Sequence, residues 1–156
     1  MPSVSHSFEC DGPVERVFDL VTTAKFWPQW HPATRDVEGD VDRPAQLGDR
    51  ITEHVVIAGV EATGTWSVVE CDRPHRLVLV AELPVGRFRI NYEFTHTCTS
   101  DAECTRMRRD LEFPELGPAV AVAMQAQSAQ GTEHLGRLVG ELLSISSRVP
   151  QGGGRG

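Results

Sequence analysis

Residues 3–10 of the chain, SVSHSFEC, alternate in character, with Val4, His6 and Phe8 on the same face. A period of two residues is typical of a strand with one buried face, so we predict a first strand here. In VERVFDLV the hydrophobic residues recur every three or four positions, which predicts a short helix. TTAKFWPQW predicts a second short helix that is broken near Pro28, because proline lacks the backbone donor that a helix needs.

A period of two returns between Thr34 and Phe113. It predicts six further strands, at residues 34–40, 50–58, 60–71, 76–82, 86–97 and 104–113. Short turns rich in glycine, proline and aspartate separate them, and one such turn is expected at Ser100-Asp101. Connections of this length favour antiparallel neighbours joined by hairpins.

The last hydrophobic pattern is helical and extends from about Pro118 to Ser147. One stripe of this helix is formed by Val120, Met124, Leu135, Leu138, Leu142 and Ile145. Residues 125–131 are small or polar and include Gly131, an unfavourable residue inside a helix. This segment is either a portal at which the helix bends or a surface where its backbone packs closely on the two N-terminal helices.

These elements predict a single α+β domain at residues 1–148, followed by a flexible Gly-rich tail at residues 149–156. A seven-stranded curved antiparallel sheet wraps the long C-terminal helix, and the two short helices lie between strands 1 and 2. One helix does not fill a strongly curved sheet. The remaining space is therefore either packed with large side chains or left as a cavity.

Charge and hydropathy narrow the classes of partner. The 156 residues carry a formal net charge of −7, which argues against nucleic acid and against docking on anionic membranes. No apolar window is long enough for membrane insertion, and the N-terminus does not resemble a signal peptide, so we expect a cytoplasmic protein.

The four cysteines, Cys10, Cys71, Cys98 and Cys104, lack the spacing of a metal site, and we expect reduced thiols. Cys98 and Cys104 flank a predicted turn and could face each other. A disulfide between them is therefore possible, but it is the less favoured alternative. The sequence contains no phosphate-binding loop, zinc motif or nucleophile elbow, and we expect neither a metal nor an organic cofactor.

Three segments carry a resemblance to a known family: PVERVFDLV (13–21), FWPQWHP (26–32) and GTWSVVECDRPHRLVL (64–79). With the order of elements, they resemble the START-like helix-grip superfamily, and within it the SRPBCC group, the polyketide cyclase/dehydrase and lipid-transport branch. The resemblance extends over residues 3–147. It implies a deep hydrophobic cavity between the sheet and the C-terminal helix.

The resemblance implies two alternative functions. The chain binds a hydrophobic or polyketide-like small molecule in this cavity and has cyclase/dehydratase activity of the aromatase/cyclase type, or it is a non-catalytic carrier or sensor of lipids or small molecules. In both cases the expected partner is an apolar small molecule, and the protein is a monomer or a homodimer.

Arg109 is the most informative candidate, because it shares the inward parity of its strand with Met107 and Leu111. A buried charge needs a partner. Arg109 therefore binds an anionic oxygen of a ligand, forms an internal salt bridge with Glu53 or Glu115, or extends its charged end to solvent at the end of the strand. In the catalytic alternative, Arg109 steadies an enolate.

Protons would then move through Tyr92, His54 or His6. Tyr92 is the only tyrosine of the chain and lies on the apolar face of its strand. The expected ligand-contacting residues are Trp27, Trp30, Trp66, Phe88, Ile90, Met107, Leu111, Met124, His6 and Glu53.

The tryptophans of the second short helix have two interpretations. Trp27 and Trp30 are three residues apart and share a helical face, so they form an aromatic gate over the ligand or a plug between helix and sheet. We expect Trp66 in the core or in the cavity wall. We expect His31, next to Pro32, on a surface loop.

Overall fold

The computed structural model describes residues 2–98 and 103–153. It contains the strands β1 (Ser3–Asp11), β2 (Thr34–Gly39), β3 (Arg50–Ile57), β4 (Val60–Asp72), β5 (Arg76–Leu83), β6 (Gly86–His96) and β7 (Cys104–Glu112). The helices are α1 (Val14–Thr22), α2 (Trp27–Trp30) and α3 (Pro118–Gly153), and one 3-10 turn (Ala24–Phe26) lies between α1 and α2. The predicted turn at Ser100-Asp101 and the side chain of Ile145 lie outside the described residues.

The strands form one antiparallel sheet in the order β1-β7-β6-β5-β4-β3-β2. The first strand pairs with the last, with Ser3 opposite Glu112 and Asp11 opposite Cys104. The other strands pair with their neighbours in sequence, as short hairpin connections require. The predicted helix-grip fold is confirmed: a curved antiparallel sheet is combined with a long C-terminal helix, and the short helices lie between the first two strands.

The alternation of buried and exposed residues along the strands shows which face of the sheet points to the interior. In β7 the buried residues are Thr105, Met107, Arg109 and Leu111, and the residues between them are exposed or half-buried. In β6, Phe88, Ile90, Tyr92 and Phe94 are buried against the same interior. The predicted parity of both strands is confirmed, including the inward position of Arg109.

Helix α3 lies against β1 and the two short helices rather than across the middle of the sheet. A Cβ atom at Gly136 would come within 3.2 Å of the Phe8 ring, and one at Gly131 within 3.3 Å of Pro32. The glycines therefore allow close packing of the helix backbone, which supports the second interpretation of residues 125–131. In this position α3 makes most of its contacts with β1 and few with β3, so a space remains between the helix and the inner face of β3, β4 and β5.

The cysteines differ in part from the expectation. Cys98 and Cys104 form a disulfide, so the prediction of reduced thiols is wrong for this pair. Cys10 and Cys71 are free, and burial raises the pKa of the Cys10 thiol to about 11. Among the described residues, no helix combines the length and apolar character needed to cross a membrane.

The glycines of α3 generate a prediction about stability. Gly140→Ala should raise the free energy of unfolding by about 0.5–1 kcal/mol, because alanine is the better helix former and the new Cβ meets no atom within 4 Å. Gly131→Ala should gain less or lose stability, because its Cβ would press on Pro32 and His31. Urea denaturation measures the difference, and equal gains in the two variants would contradict the close packing.

Candidate functional site

A cavity of about 370 Å³ lies between the uncovered inner face of the sheet and the first turns of α3. Its wall is mostly aliphatic and aromatic and includes the predicted residues Trp66, Phe88, Ile90, Leu111 and Met124. It reaches the surface near the β3–β4 and β5–β6 turns, where Val60 and Val85 are exposed. A larger depression of about 660 Å³ over β1 and β7 is open and lined partly by Glu9, Arg106 and Arg108, so it lacks an enclosed apolar wall.

Small inward residues make the room for this cavity. Ala62 and Gly64 of β4 and Ala81 of β5 line it, at positions where a large side chain would occupy the space. Trp66 follows on the same face of β4 and closes one side. The residues that line the cavity include three with titratable side chains, His31, Glu53 and Arg109.

Arg109 is 5% exposed, and neutral groups surround its guanidinium. Its Nε donates to the Tyr92 hydroxyl at 3.3 Å, and its Nη1 donates to Ser128 Oγ at 3.1 Å. Its Cζ lies 5.8 Å from the centre of the Trp30 ring and 5.9 Å from that of Tyr92, within the range of cation–π attraction. In the described part of the chain, no carboxylate lies within 4 Å of it, so the alternative of a salt bridge to Glu53 or Glu115 is not realised.

Glu53 is fixed on the cavity wall by two donors. Its Oε1 accepts a hydrogen bond from Trp66 Nε1 at 3.0 Å, and its Oε2 accepts one from the Thr34 hydroxyl. Both oxygens are therefore occupied by neutral donors. The carboxylate is a positioned acceptor on the opposite side of the cavity from the strand that carries Arg109.

His31 is half-buried and lines the cavity, so its predicted place on a surface loop is only partly correct. It follows α2 directly, lines the cavity, and has its Nδ1 3.0 Å from the Thr34 hydroxyl. Burial, reinforced by the positive charge of Arg109, lowers the pKa of His31 to about 3. His31 directly follows Trp30, and a turn that buries Trp30 also brings the next residue inward. The aromatic segment could therefore have predicted the position of His31.

Three predicted residues lie outside the wall of this cavity, and one of them, His6, lines the open depression over β1 and β7 instead. Tyr92 is 1% exposed, and burial raises its pKa although Arg109 opposes the shift. Met107 is fully buried in the core. His6 Nδ1 lies 3.1 Å from Ser128 Oγ, so His6 reaches Arg109 through that hydroxyl, and burial lowers its pKa.

The proposed catalytic role of His54 does not fit its position. Strand residues alternate between faces, so the inward side chain of Glu53 turns its neighbour His54 outward. His54 Nε2 lies 3.1 Å from Glu38 and 3.4 Å from Asp36 on the outer face of the sheet. His54 therefore does not reach the cavity.

Trp27 and Trp30 are 4% and 2% exposed and belong to the core. Neither is among the residues that line the cavity, and among the described residues their indole nitrogens are buried without partners. This placement favours the plug over the gate. Trp30 still contributes indirectly, because its ring supports Arg109 and lies 5.6 Å from the ring of His31.

Comparison with known proteins identifies the family but no individual relative. The family model described as polyketide cyclase / dehydrase and lipid transport matches residues 1–140. No curated protein matches the chain.

Solved structures share the fold at low sequence identity. TTHA0849 from Thermus thermophilus is 20% identical with a TM-score of 0.68, over 88% of this chain and 97% of that one. A START superfamily protein from Mycobacterium smegmatis is 15% identical with a TM-score of 0.62, over 92% and 97%. The di-domain ARO/CYC protein BexL of the BE-7585A biosynthetic pathway is 17% identical with a TM-score of 0.59, over 86% and 48%.

The surroundings of Arg109 predict the effect of its removal on stability. Arg109→Met keeps a long side chain and removes a buried charge that has no carboxylate partner. The free energy of unfolding should stay the same or rise by about 1–3 kcal/mol. Chemical denaturation measures it, and a clear loss would mean that Arg109 is a structural residue.

The lowered pKa of His31 predicts a dependence of stability on pH. The unfolded chain takes up a proton at the ordinary pKa of 6.5, whereas the native ring does so only near 3. Stability is therefore fully present above pH 6.5 and is lost as the pH falls towards 3. Between pH 7.5 and 4.5 this group should account for about 2–3 kcal/mol.

In His31→Gln the loss of stability between these two pH values should be smaller by that amount. His75→Gln, which changes an exposed histidine, is the matched control and should follow the wild type. Equal slopes in wild type and His31→Gln would contradict the burial of a neutral imidazole.

Proposed function

The chain belongs to the polyketide cyclase/dehydrase and lipid transport family, and from that premise we propose that it binds a compact, largely apolar small molecule in its cavity. An anionic or carbonyl oxygen of the ligand bonds to Arg109. The observation that carries this proposal is a buried guanidinium at the wall of an apolar cavity, with no carboxylate within 4 Å among the described residues.

The size and lining of the cavity support a compact ligand. A volume of about 370 Å³ is at the lower end of the range for small-molecule pockets. Residues such as Phe88, Ile90 and Leu111 offer apolar contact over most of the wall. A molecule of one or two rings, or a short folded chain, suits this space.

The charge of Arg109 supports an oxygen at one end of that molecule. A guanidinium has five N–H donors, and two of its nitrogens are occupied here by single neutral oxygens. Its desolvation is only partly offset by these bonds and by two aromatic rings. A ligand oxygen in a low-dielectric cavity would add a charge-assisted hydrogen bond, which is stronger than one between neutral groups.

A second candidate is catalysis of ring closure and water loss on a poly-β-keto chain. It is favoured by the presence of Arg109 and Glu53 in one cavity, and by the fold shared with an ARO/CYC protein. Glu53 would accept a proton from the carbon next to a carbonyl, and Arg109 would stabilise the enolate oxygen. The enolate carbon would attack a second carbonyl, and the new alkoxide would take back the proton held by Glu53. Glu53 would then remove a second proton from the same α carbon and pass it to the departing hydroxyl, so that one C=C bond forms and one water leaves.

The binding proposal predicts a selective loss in Arg109→Met. The affinity for 2-naphthoate should fall about 10- to 100-fold, the value of a hydrogen bond to a charged group. The affinity for the neutral 2-acetylnaphthalene should fall less, because its ketone is a weaker acceptor. Isothermal titration calorimetry measures both ligands.

Arg108→Met is the matched control, because Arg108 lies on the same strand with its side chain on the outer face, paired with Asp110. It removes the same charge and should leave both affinities unchanged. An equal loss of 2-naphthoate binding in the two variants would mean that net charge, and not a site at Arg109, attracts the ligand.

The catalytic candidate is tested with heptane-2,6-dione, which closes to 3-methylcyclohex-2-enone and one molecule of water. The protein should accelerate the rise in enone absorbance, and Glu53→Gln and Arg109→Met should each remove most of the acceleration. A rate equal to that of buffer would count against catalysis and leave binding as the function.

A further inference from the structure

The hydrogen bonds around Thr34 fix which nitrogen of His31 carries the proton. The Thr34 hydroxyl has one proton and donates it to Glu53 Oε2. Its contact with His31 Nδ1, at 3.0 Å, must therefore be a bond that it accepts. The imidazole is then protonated on Nδ1, and in the neutral ring Nε2 carries a lone pair.

This Nε2 is an acceptor without a partner among the described residues. His31 lines the cavity, whereas the buried side-chain nitrogens that lack partners are the indole nitrogens of Trp27 and Trp30. Nε2 is not one of those enclosed atoms, and it belongs to a side chain that lines the cavity. The cavity wall thus offers a neutral acceptor in addition to the donors of Arg109.

Both groups contact Trp30, and both line the same cavity. The His31 ring meets the Trp30 ring edge to face at 5.6 Å, and the Arg109 Cζ lies 5.8 Å from the Trp30 ring centre. The proximity of the guanidinium also disfavours an imidazolium, which keeps the Nε2 lone pair available at neutral pH. One ligand can therefore contact a strong donor and a neutral acceptor at the same end of the cavity.

We propose that His31 Nε2 accepts a hydrogen bond from a hydroxyl or enol of the ligand, while Arg109 binds a second, carbonyl or anionic oxygen of the same molecule. This inference rests on the proposed function and narrows its ligand class to compact hydroxy acids, hydroxy ketones and enolised diketones. Thr34 and Glu53 act as positioning residues, because they hold the ring in the tautomer that accepts.

Hydroxylated probes test the proposal by calorimetry. The 2-naphthoates with a hydroxyl at ring position 5, 6 or 7 are compared with 2-naphthoate, and each with its methoxy counterpart, which cannot donate. At least one hydroxy isomer should bind about 3- to 10-fold more tightly than the parent, the value of one hydrogen bond, and its methoxy counterpart should not.

Two variants should remove this preference by different routes. In His31→Phe the acceptor is absent, so the ratio of hydroxy to parent affinity should fall to about 1. In Thr34→Val the ring is retained but its Nδ1 proton loses its acceptor, so the ratio should also fall. Thr63→Val alters the His54–Thr63 contact on the outer face and should leave the ratio at its wild-type value.

The tautomer is measured without a ligand, from the ¹⁵N–¹H long-range NMR spectrum of the imidazoles. An unprotonated Nε2 in the wild type, lost in Thr34→Val, is the expected result, and a protonated Nε2 overturns the inference. If 2-naphthoate binds through Arg109 but no hydroxyl improves its affinity, the inference fails and the proposed function stands. If no naphthoate binds, the proposed function and this inference fail together.

Discussion

The polar end of the cavity is organised around one buried positive charge. Arg109 lies among apolar side chains, and its guanidinium is bonded to two neutral oxygens and flanked by two aromatic rings. The free energy lost when an unpaired charge is removed from water is larger than the free energy that such neighbours contribute. A fold selected for stability would place a methionine or a leucine here. The inward arginine at the wall of an apolar cavity is therefore the feature on which our proposal of a binding site rests.

The cavity follows from where the C-terminal helix packs. Glycines on α3 allow its backbone to approach β1 and the turn after α2, so the helix packs mainly on β1 and makes few contacts with β3. Small residues on the uncovered strands, such as Ala62 and Ala81, then leave the interior unfilled. The same approach places the turn that carries His31 beside the strand that carries Arg109, so the packing that opens the cavity also assembles its polar end.

Much of this arrangement could be predicted from the sequence, because the alternation of hydrophobic and polar residues in a strand identifies its buried face. The period of two placed Arg109, Leu111 and Ile90 inward, and in β3 it requires that Glu53 and His54 face opposite sides. Alternation does not show whether an inward side chain reaches the cavity or is buried in the core. Tyr92 and Met107 were therefore predicted to contact a ligand, whereas they lie in the core and do not line the cavity. Local pattern also gave no account of His31 and Thr34, whose roles arise from a junction between a helix and a strand. The position of α3 depends on the sum of many contacts with other elements. It cannot be deduced from the row of hydrophobic residues on one face of the helix.

The pairing of β1 with β7 has a consequence for the order of events during synthesis. Ser3 leaves the ribosome more than a hundred residues before Glu112, its partner in the sheet, and α3 is made later still. The β2–β6 hairpins need only local contacts, whereas the wall formed by β1, β7 and α3 closes last, since contacts between distant residues form slowly. A nascent chain therefore exposes its apolar inner face for most of its translation, and the cavity is enclosed only when the final helix has emerged.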